Sequence, residues 1–320
     1  MTLPQISRRN LIATSVSALA GGVVSSGLAA TERPAVSSFQ SKGPERKRVL
    51  RFAHLTDTHV QTERRGDEGF SMALQHVQQL ADPPEWIMFG GDNVMNVDSA
   101  AGAEKADEQL ATWNRCLKNE LSLPHKSCIG NHDVLKLDPV AGKKWAVEAY
   151  GLPDRYYSFD SAGWRFVILD STLPVGGSYR GQLDEAQMDW LSQTLAQTPE
   201  NQPTMIVSHI PIFAACTFFD GDNEKSGDWS VPGAWMHIDA RKIKDLFHKH
   251  RQVKAAISGH VHLADEVKYL DVRYFCNGAV SGGWWNGAYQ EFSPGYGLVD
   301  LFDDGSVECA YVNYPWPTKS

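Results

Sequence analysis

Residues 49–59 read VLRFAHLTDTH, a largely apolar run of strand length that is followed at once by Asp57 and His59. Polar side chains follow four later apolar runs in the same way. These are Gly-Gly-Asp-Asn at 90–93, Gly-Asn-His-Asp at 130–133, Ser-His at 208–209 and Gly-His-Val-His at 259–262. Open α/β sheets bind their ligands beyond the carboxyl ends of the strands. We therefore expect these five strand ends to converge on one site.

Between these motifs, runs of strand length alternate with stretches of helical period. Strands are predicted at 49–55, 86–89, 127–129, 204–208 and 254–258, and helices at 70–80, 104–121, 140–150, 183–195 and 239–249. Further antiparallel pairing is predicted from β-type runs at 155–160, 164–170, 266–276, 297–302 and 306–313. This alternation predicts an α/β fold of βαβ units around a largely buried sheet.

The segment 211–237 interrupts the alternation, because it shows no sustained period. It exceeds the about 12 to 15 residues beyond which an unstructured connection is usually functional or disordered. Its aromatic residues, which include Trp229 and Trp235, argue against disorder. Since the segment leaves the strand end that carries His209, we predict an insertion loop that forms a lid or wall. Its acidic cluster at 220–228 does not match the spacing of a calcium-binding EF-hand loop, so a solvated loop is favoured there.

The N-terminal segment has the pattern of an export signal. Arg8 and Arg9 precede an uncharged stretch at 11–30, and the adjacent arginines resemble a twin-arginine signal. A membrane anchor is the alternative, but five of these twenty positions are Ser or Thr and three are Gly, which suits hydrocarbon poorly. We expect a signal peptide at 1–30, a flexible leader at 31–47 and a catalytic domain at 48–320. The twin-arginine machinery of a bacterium would then export the protein, without a membrane anchor, to the periplasm or the extracellular space.

Composition restricts the class of partner. The chain of 320 residues is 42% hydrophobic and 21% charged, which is typical of a globular protein. Its net charge is −8, and the part after residue 30 carries −10 because the signal holds Arg8, Arg9 and no acid. A surface of this charge disfavours a large nucleic acid. The five widely spaced cysteines are expected to be mostly core residues, with one disulfide left open.

Taken in order, D-x-H, G-D-N, G-N-H-D, H and G-H-x-H resemble the calcineurin-like metallophosphoesterase family, and the resemblance spans residues 57–262. It implies a four-layer α/β/β/α sandwich with mixed sheets and two bound metal ions. Asp57, His59 and His262 would hold one ion. Asn131, His209 and His260 would hold the other, and Asp92 would bridge both.

The resemblance also places His132 beside the metals without ligating them, and we take it as the candidate general acid. Two neighbouring cations can lower the pKa of a shared water and hold phosphoryl oxygens. Met95 stands where the purple acid phosphatase branch has a tyrosine ligand, so the metals could be Fe, Mn or Zn. Asp133 could orient His132, although an exposed helix-capping role is favoured. Asn93 could touch substrate or merely form the turn.

A glycine-rich stretch at 277–285 ends in Trp284 and Trp285, which could form a substrate platform or cap the core. The order and spacing of the motifs look more similar to bacterial class III cyclic-nucleotide phosphodiesterases and related exported phosphoesterases than to the purple acid phosphatase branch. We expect an exported enzyme that hydrolyses a small or medium phosphodiester by attack of metal-bound hydroxide, with His132 as general acid. A phosphomonoesterase acting on nucleotides or sugar phosphates is the alternative. A catalytically degenerate protein that binds metal or ligand is a further one.

Overall fold

The computed structural model describes residues 46–316. The signal peptide predicted at 1–30 and most of the leader predicted at 31–47 therefore lie outside the described residues. The strands are β1 Arg48–Leu55, β2 Trp86–Phe89, β3 His125–Ser127, β4 Tyr157–Ser161, β5 Trp164–Leu169, β6 Thr172–Val175, β7 Ser178–Gly181, β8 Thr204–Ser208, β9 Val253–Ser258, β10 Asp265–Tyr269, β11 Val272–Cys276, β12 Gly295–Phe302 and β13 Val307–Asn313. The helices are α1 Gly66–Gln78, α2 Ala100–Ala103, α3 Ala106–Glu120, α4 Ala141–Ala149, α5 Glu185–Gln197 and α6 Ala240–Lys249.

Most of these strands form two mixed sheets. The first sheet has the order β13-β12-β1-β2-β3, in which β1, β2 and β3 are parallel and β12 and β13 are antiparallel to their neighbours. The second has the order β10-β11-β9-β8-β5-β4, in which the four inner strands are parallel and both edge strands are antiparallel. Parallel pairing brings the carboxyl ends of the inner strands of each sheet to one edge.

Burial shows how the layers stack. One cluster joins the two sheets through inward residues such as Phe52 of β1 and Phe166 of β5. The next residue along β1, Ala53, points to the opposite face and packs in a second cluster with α1 and α3. This alternation follows the two-residue period of a strand. The third cluster packs α5 and α6 on the outer face of the second sheet. The predicted four-layer α/β/β/α sandwich with mixed sheets is therefore confirmed.

The structure corrects three predicted elements. Strand β3 ends at Ser127 instead of covering 127–129, because the ladder pairs 87–89 of β2 with 125–127. The run at 266–276 is a hairpin, since Leu270 and Asp271 take positive φ values of 49° and 67° between β10 and β11. The hairpin of β6 and β7 was not predicted at all. The remaining core strands and helices lie within a few residues of their predicted ranges.

The insertion loop is anchored at its base. The His237 N–H donates to the Pro211 carbonyl at 2.9 Å, which closes the loop on itself. The Gly181 N–H at the end of β7 donates to the Gly233 carbonyl at 2.8 Å, and the Ile238 N–H donates back to Gly181. These bonds fix the loop beside the β6–β7 hairpin, at the edge of the sheet where the polar strand ends meet.

Candidate metal centre

The predicted ligands meet at the carboxyl edge of both sheets. Asp57 and His59 follow β1, Asp92 follows β2, Asn131 follows β3, His209 follows β8, and His260 and His262 follow β9. Three groups of three residues each have ligand atoms within 4.8 Å of one another, and they are Asp57–His59–His262, Asp92–His209–His260 and His59–Asp92–His132. The structure thus brings together five chain segments that lie up to two hundred residues apart in the sequence.

Five of these ligand residues have a left-handed backbone, with φ between 41° and 77°. They are Asp57, His59, Asp92, His260 and His262. A positive φ is uncommon outside glycine and costs free energy, and such residues concentrate at functional sites. The chain therefore turns sharply at each ligand and aims its side chain into the common centre.

Two glycines of the site allow the backbone to approach the ligand carboxylates closely. A Cβ on Gly259 would collide with the Oγ1 of Thr56 and the carboxylate of Asp57, and one on Gly130 would collide with Asp92. The Thr56 hydroxyl and the His260 N–H both donate to Asp57 Oδ2, at 2.6 and 2.8 Å. The two sheets can hold Asp57 between them because no side chain stands at Gly259.

Asp92 lies between the two groups of ligands. Its Oδ2 is 3.2 Å from His209 Nε2 and 3.8 Å from His59 Nε2. Asp57 Oδ1 is 3.4 Å from His262 Nε2 and 3.9 Å from His59 Nε2. A carboxylate has two oxygens with several lone pairs, so it can serve two cations at once. This position agrees with the bridging role that the family resemblance implies for Asp92.

The imidazoles are oriented as metal ligands require. The Nδ1 atoms of His209 and His262 lie 2.9 and 2.5 Å from the carbonyl oxygens of Gly90 and Gly282. His260 is turned the other way, with Nε2 3.0 Å from the Ala234 carbonyl. A carbonyl that accepts a hydrogen bond from one ring nitrogen leaves the other nitrogen facing the centre, where its lone pair can ligate a cation.

Several buried atoms of the site lack a hydrogen-bond partner among residues 46–316. They include Asp57 Oδ1 and Asn131 Oδ1. Unpaired oxygens of this kind are costly to bury. His59 Nε2 and His262 Nε2 also face each other at 3.1 Å, and His260 Nδ1 faces His209 Nε2 at 3.2 Å. Lone pairs and unpaired oxygens that point at one another fit bound cations, so the donor set suits two metal ions.

The electrostatics of the centre favour a cation as well. Burial lowers the pKa of His59 and His260 to about 3, so both rings are neutral and able to ligate near pH 7. At His209, burial lowers the pKa but the carboxylates of Asp92 and Asp57 outweigh it and raise the pKa to about 9. The two buried carboxylates thus concentrate negative potential at the point where the ligand groups meet.

These ligands form the floor of a cavity of about 330 Å³. His59, Asp92, Asn131, His260 and His262 line it, whereas Asp57 and His209 lie fully buried beneath. Its walls carry two aromatic side chains that belong to no sequence motif and one acidic side chain, Asp220, from the cluster that was predicted as a solvated loop. They are Tyr179 of β7, Asp220 and Tyr289, and the Tyr289 hydroxyl donates to Asp220 Oδ1 at 2.6 Å.

The insertion loop forms one wall of this cavity, as predicted, through Asp220, Gly221 and Trp235. Its other aromatic residues divide between packing and solvent. Phe218 packs edge-on against Trp229, and Trp229 is itself 55% exposed. The part of the loop that faces the metal centre is thus small, and only one of its two tryptophans reaches the cavity.

His132 lines the cavity and remains partly exposed. Its Nε2 is 3.9 Å from Asp92 Oδ2, and its backbone N–H donates to Asp92 Oδ1 at 2.8 Å. Its Nδ1 lies 3.5 Å from Asp98 Oδ1. The ring is therefore placed between the cavity and an acidic side chain that carried no signal in the sequence.

Asp133 is not the exposed cap that was favoured for it, and Asn93 does not reach the cavity. Asp133 is fully buried and accepts hydrogen bonds from the Gly130 and Asn93 N–H groups and the Tyr150 hydroxyl, so the expectation of an exposed cap is wrong. Its carboxylate binds backbone and Tyr150 instead of the His132 ring. Asn93 is fully buried, does not line the cavity, and donates from Nδ2 to Asp133 and the Cys128 carbonyl. Of the two roles considered for Asn93, the structure therefore favours the turn over a contact with substrate.

The two tryptophans separate. Trp284 lines the cavity, with its ring centroid 4.5 Å from that of His262 and 5.3 Å from that of Tyr289. Trp285 belongs to the hydrophobic core, where its Nε1 donates to the His59 carbonyl at 2.9 Å and its ring meets Trp316 edge-on. The proposed platform of paired tryptophans is therefore corrected to Trp284 alone.

Residues 50–264 match the sequence model of the calcineurin-like phosphoesterases, and the chain belongs to this family. Members of the family bind a dinuclear metal site, and the protein is a hydrolase that acts on phosphate esters. Among the residues at 46–316, no helix combines the length and the apolar character needed to cross a bilayer.

Individual relatives are distant. The chain is 24% identical to a 3′,5′-cyclic-nucleotide phosphodiesterase of Nostoc sp. over 85% of this chain and 92% of that one. It is 23% identical to the 3′,5′-cyclic adenosine monophosphate phosphodiesterase CpdA of Escherichia coli over 81% and 87%. A dimetal phosphatase from Danio rerio has the same fold, with a TM-score of 0.57 and 14% identity over 84% of this chain and 100% of that chain.

Proposed function

We propose that this protein is an exported dinuclear-metal phosphodiesterase that hydrolyses a small or medium phosphodiester. The observation that carries the proposal is the cavity of about 330 Å³, with metal ligands on its floor and Trp284, Trp235, Tyr179 and Tyr289 on its walls. An apolar group on the second ester oxygen would contact these rings. The names of the relatives make cyclic nucleotides the first diesters to test.

In this proposal, Asp57, His59 and His262 hold one ion, Asn131, His209 and His260 hold the other, and Asp92 serves both. Imidazole, carboxylate and amide donors suit Fe, Mn or Zn. When bound, such a pair supplies an activated water and positive charge that offsets the charge on the phosphoryl oxygens. The protein fixes the ligands in advance through the left-handed backbone and the carbonyl-bound imidazoles.

His132 supplies the proton in this mechanism. With Nδ1 directed at Asp98, its Nε2 is left on the cavity side and can donate to the leaving oxygen. The same ring is also close enough to Asp92 and His59 to act as a ligand. Metal content of a His132 variant separates these roles, because loss of a proton donor leaves the metals in place.

The test is a comparison of substrates with the full chain purified after native export. We expect metal analysis to find two ions per chain, and cyclic AMP and bis(p-nitrophenyl) phosphate to be turned over with a higher kcat/KM than p-nitrophenyl phosphate. A clear preference for the monoester would overturn the diesterase assignment in favour of the phosphomonoesterase. Two bound metals with no turnover of any ester would indicate a degenerate binding protein.

Export is a separate part of the proposal and is supported by Arg8, Arg9 and the uncharged stretch at 11–30. We expect the double substitution Arg8→Lys and Arg9→Lys to retain the protein in the cytoplasm of a bacterial host. Cell fractionation measures this, and substitution of Arg46 and Lys47, which follow the signal, is the control. Export of the double variant at the original level would rule out the twin-arginine route.

A further inference from the structure

Two of the five cysteines share one small hydrophobic cluster beside the metal centre. Cys216, in the insertion loop, and Cys276, at the end of β11, are both buried there. The cluster also contains Val261, which lies between the metal ligands His260 and His262 in the sequence. A covalent link between these two cysteines would therefore act on both the wall and the floor of the metal cavity.

The backbone holds the two cysteines side by side through Asp265 of β10. Asp265 stands directly opposite Cys276 in the antiparallel ladder of β10 and β11. Side chains of opposite residues lie on the same face of a sheet, with Cβ atoms about 4.5 to 5.5 Å apart. The Asp265 carboxylate accepts a hydrogen bond from the Cys216 N–H at 2.7 Å. The ladder thus places Cys216 next to the side chain of Cys276.

The two thiols are in contact. A hydrogen bond with the Cys216 thiol, together with burial, raises the pKa of Cys276 well above its usual range. The Cys276 Sγ also donates to the Gly259 carbonyl at 3.4 Å. The groups of ligand atoms that lie within 4.8 Å of one another at 46–316 contain neither cysteine. The pair therefore lacks the further ligands that a metal ion requires.

The other three cysteines are placed differently. Cys116 and Cys128 belong to two other hydrophobic clusters, and Cys309 of β13 packs at the edge of the one that contains Cys128. Each of these three thiols donates to an oxygen atom of the chain, at 3.2 to 3.7 Å. The structure thus singles out Cys216 and Cys276 as one pair of neighbouring sulfurs.

We propose that Cys216 and Cys276 form a disulfide bond when the protein reaches an oxidising compartment. This inference goes beyond the proposed function, and only the choice of compartment rests on the proposed export. Disulfides persist in exported proteins and are rare in the cytosol, so the chain keeps both thiols before export. The bond ties the insertion loop to the strand end from which the loop with Trp284 leaves.

Formation of the bond requires an oxidant, which is a second disulfide such as that of oxidised glutathione. Cys216 is 7% exposed and Cys276 only 1%, so Cys216 is the more accessible sulfur. Its thiolate attacks one sulfur of the oxidant, and the other sulfur leaves as a thiol. The Cys276 sulfur then loses its proton, attacks Cys216 and expels the second thiol. The two cysteines lose two protons and two electrons, and the oxidant takes up both.

Peptide mapping of the full chain tests the bond. The protein is equilibrated with oxidised glutathione and a catalytic amount of a thiol–disulfide oxidoreductase, alkylated, and digested with trypsin without reduction. We expect the peptide 181–225, which holds Cys216, to be linked to the peptide 274–319, which holds Cys276 and Cys309. Alkylation of both Cys216 and Cys276 after this treatment would overturn the proposal.

Two variants identify the sulfur within the second peptide. The link is expected to disappear in Cys276→Ser and to persist in Cys309→Ser, which removes the other cysteine of the same peptide. A link that persists in Cys276→Ser would contradict the pairing. Cys216→Ser removes the other partner, and it takes the place of Cys276→Ser if that variant fails to fold.

Thermal unfolding gives a second readout. Addition of a reductant is expected to lower the thermal midpoint of the oxidised wild-type protein by about 4 to 10 °C, because the bond restricts the unfolded chain. Cys309→Ser should show the same decrease, and Cys216→Ser and Cys276→Ser should show none. An equal decrease in Cys276→Ser would show that the reductant acts elsewhere, and it would count against the bond.

The disulfide and the proposed activity can fail separately. Linked peptides from a protein that hydrolyses no ester would refute the phosphodiesterase and keep the disulfide. Diester hydrolysis by a protein in which Cys216 and Cys276 stay free would refute the disulfide and keep the phosphodiesterase.

Discussion

At the scale of single residues, the carboxylate of Asp92 and the imidazole of His132 have different proposed roles, metal binding for the first and proton donation for the second. Asp92 stands between both ligand groups, 3.2 Å from His209 Nε2 and 3.8 Å from His59 Nε2. His132 reaches the same carboxylate only at 3.9 Å and keeps part of its ring exposed to the cavity. The two residues should therefore fail in different ways when they are replaced.

We expect His132→Ala to lower kcat by about 10² to 10⁴, the usual contribution of a positioned proton donor, with the metal content unchanged. Asp92→Ala should lose both activity and metal, because it removes the carboxylate shared by the two ligand groups. Steady-state kinetics and elemental analysis of each variant measure these effects. Full activity in either variant would refute the mechanism.

Asp98 is a positioning residue for His132, because its Oδ1 lies 3.5 Å from the ring Nδ1 and outside the metal ligands. We expect Asp98→Asn to lower kcat about 10- to 100-fold, the usual cost of losing a charged group that supports a site histidine, with little change in KM or metal content. Asp98→Glu should recover part of the rate. Asp107→Asn, at an exposed position on α3, is the control, and an equal loss there would point to a general effect on folding.

At the scale of elements, the loop that follows β11 contacts both the backbone of the metal centre and its cavity. Trp285 fills the space over Gly66 and Gly69 of α1 and donates to the His59 carbonyl. Its neighbour Trp284 reaches the cavity instead. Positive φ values of 51° and 69° at these two residues let one short turn serve the core and the site at once.

Substitution of three tryptophans separates these roles. Trp285→Ala should lower the free energy of unfolding by about 3 to 5 kcal/mol, as for other large buried aromatic residues. Trp284→Ala should leave stability nearly unchanged and raise KM for an aromatic diester. Trp229→Ala, at a residue that is 55% exposed, is the control for both. Denaturant unfolding and steady-state kinetics measure the effects, and a stable Trp285→Ala variant would contradict the core assignment.

At the scale of the whole molecule, the ligands were predictable because each lies directly after an apolar run, and parallel strands end at a common edge. The fold class followed from the same alternation. Asp98 and Tyr179 were not predictable, because Asp98 reaches His132 and Tyr179 reaches the metal cavity through tertiary packing, and neither residue belongs to a local motif. Trp285 was wrongly predicted as part of a substrate platform, because the sequence does not show which of two adjacent tryptophans faces the core.

The metal centre should also stabilise the whole fold, because its ligands come from both sheets. An ion present at about 100 times its dissociation constant adds about 2.7 kcal/mol to the free energy of unfolding. We expect chelation to lower the thermal midpoint of the wild-type protein and to leave that of Asp92→Ala nearly unchanged. Calorimetry checks this, and an equal shift in both proteins would show that the chelator acts elsewhere.

The left-handed backbone at five ligand positions has a consequence for how this centre can change during evolution. Apart from glycine, that conformation is adopted most readily by Asn, Asp and His, and β-branched residues resist it. Exchange at Asp57, His59, Asp92, His260 and His262 is therefore biased toward side chains that bring oxygen or nitrogen to the ion. The backbone conformation thus favours, in proteins that evolve from this one, the same metals that oxygen and nitrogen ligands bind.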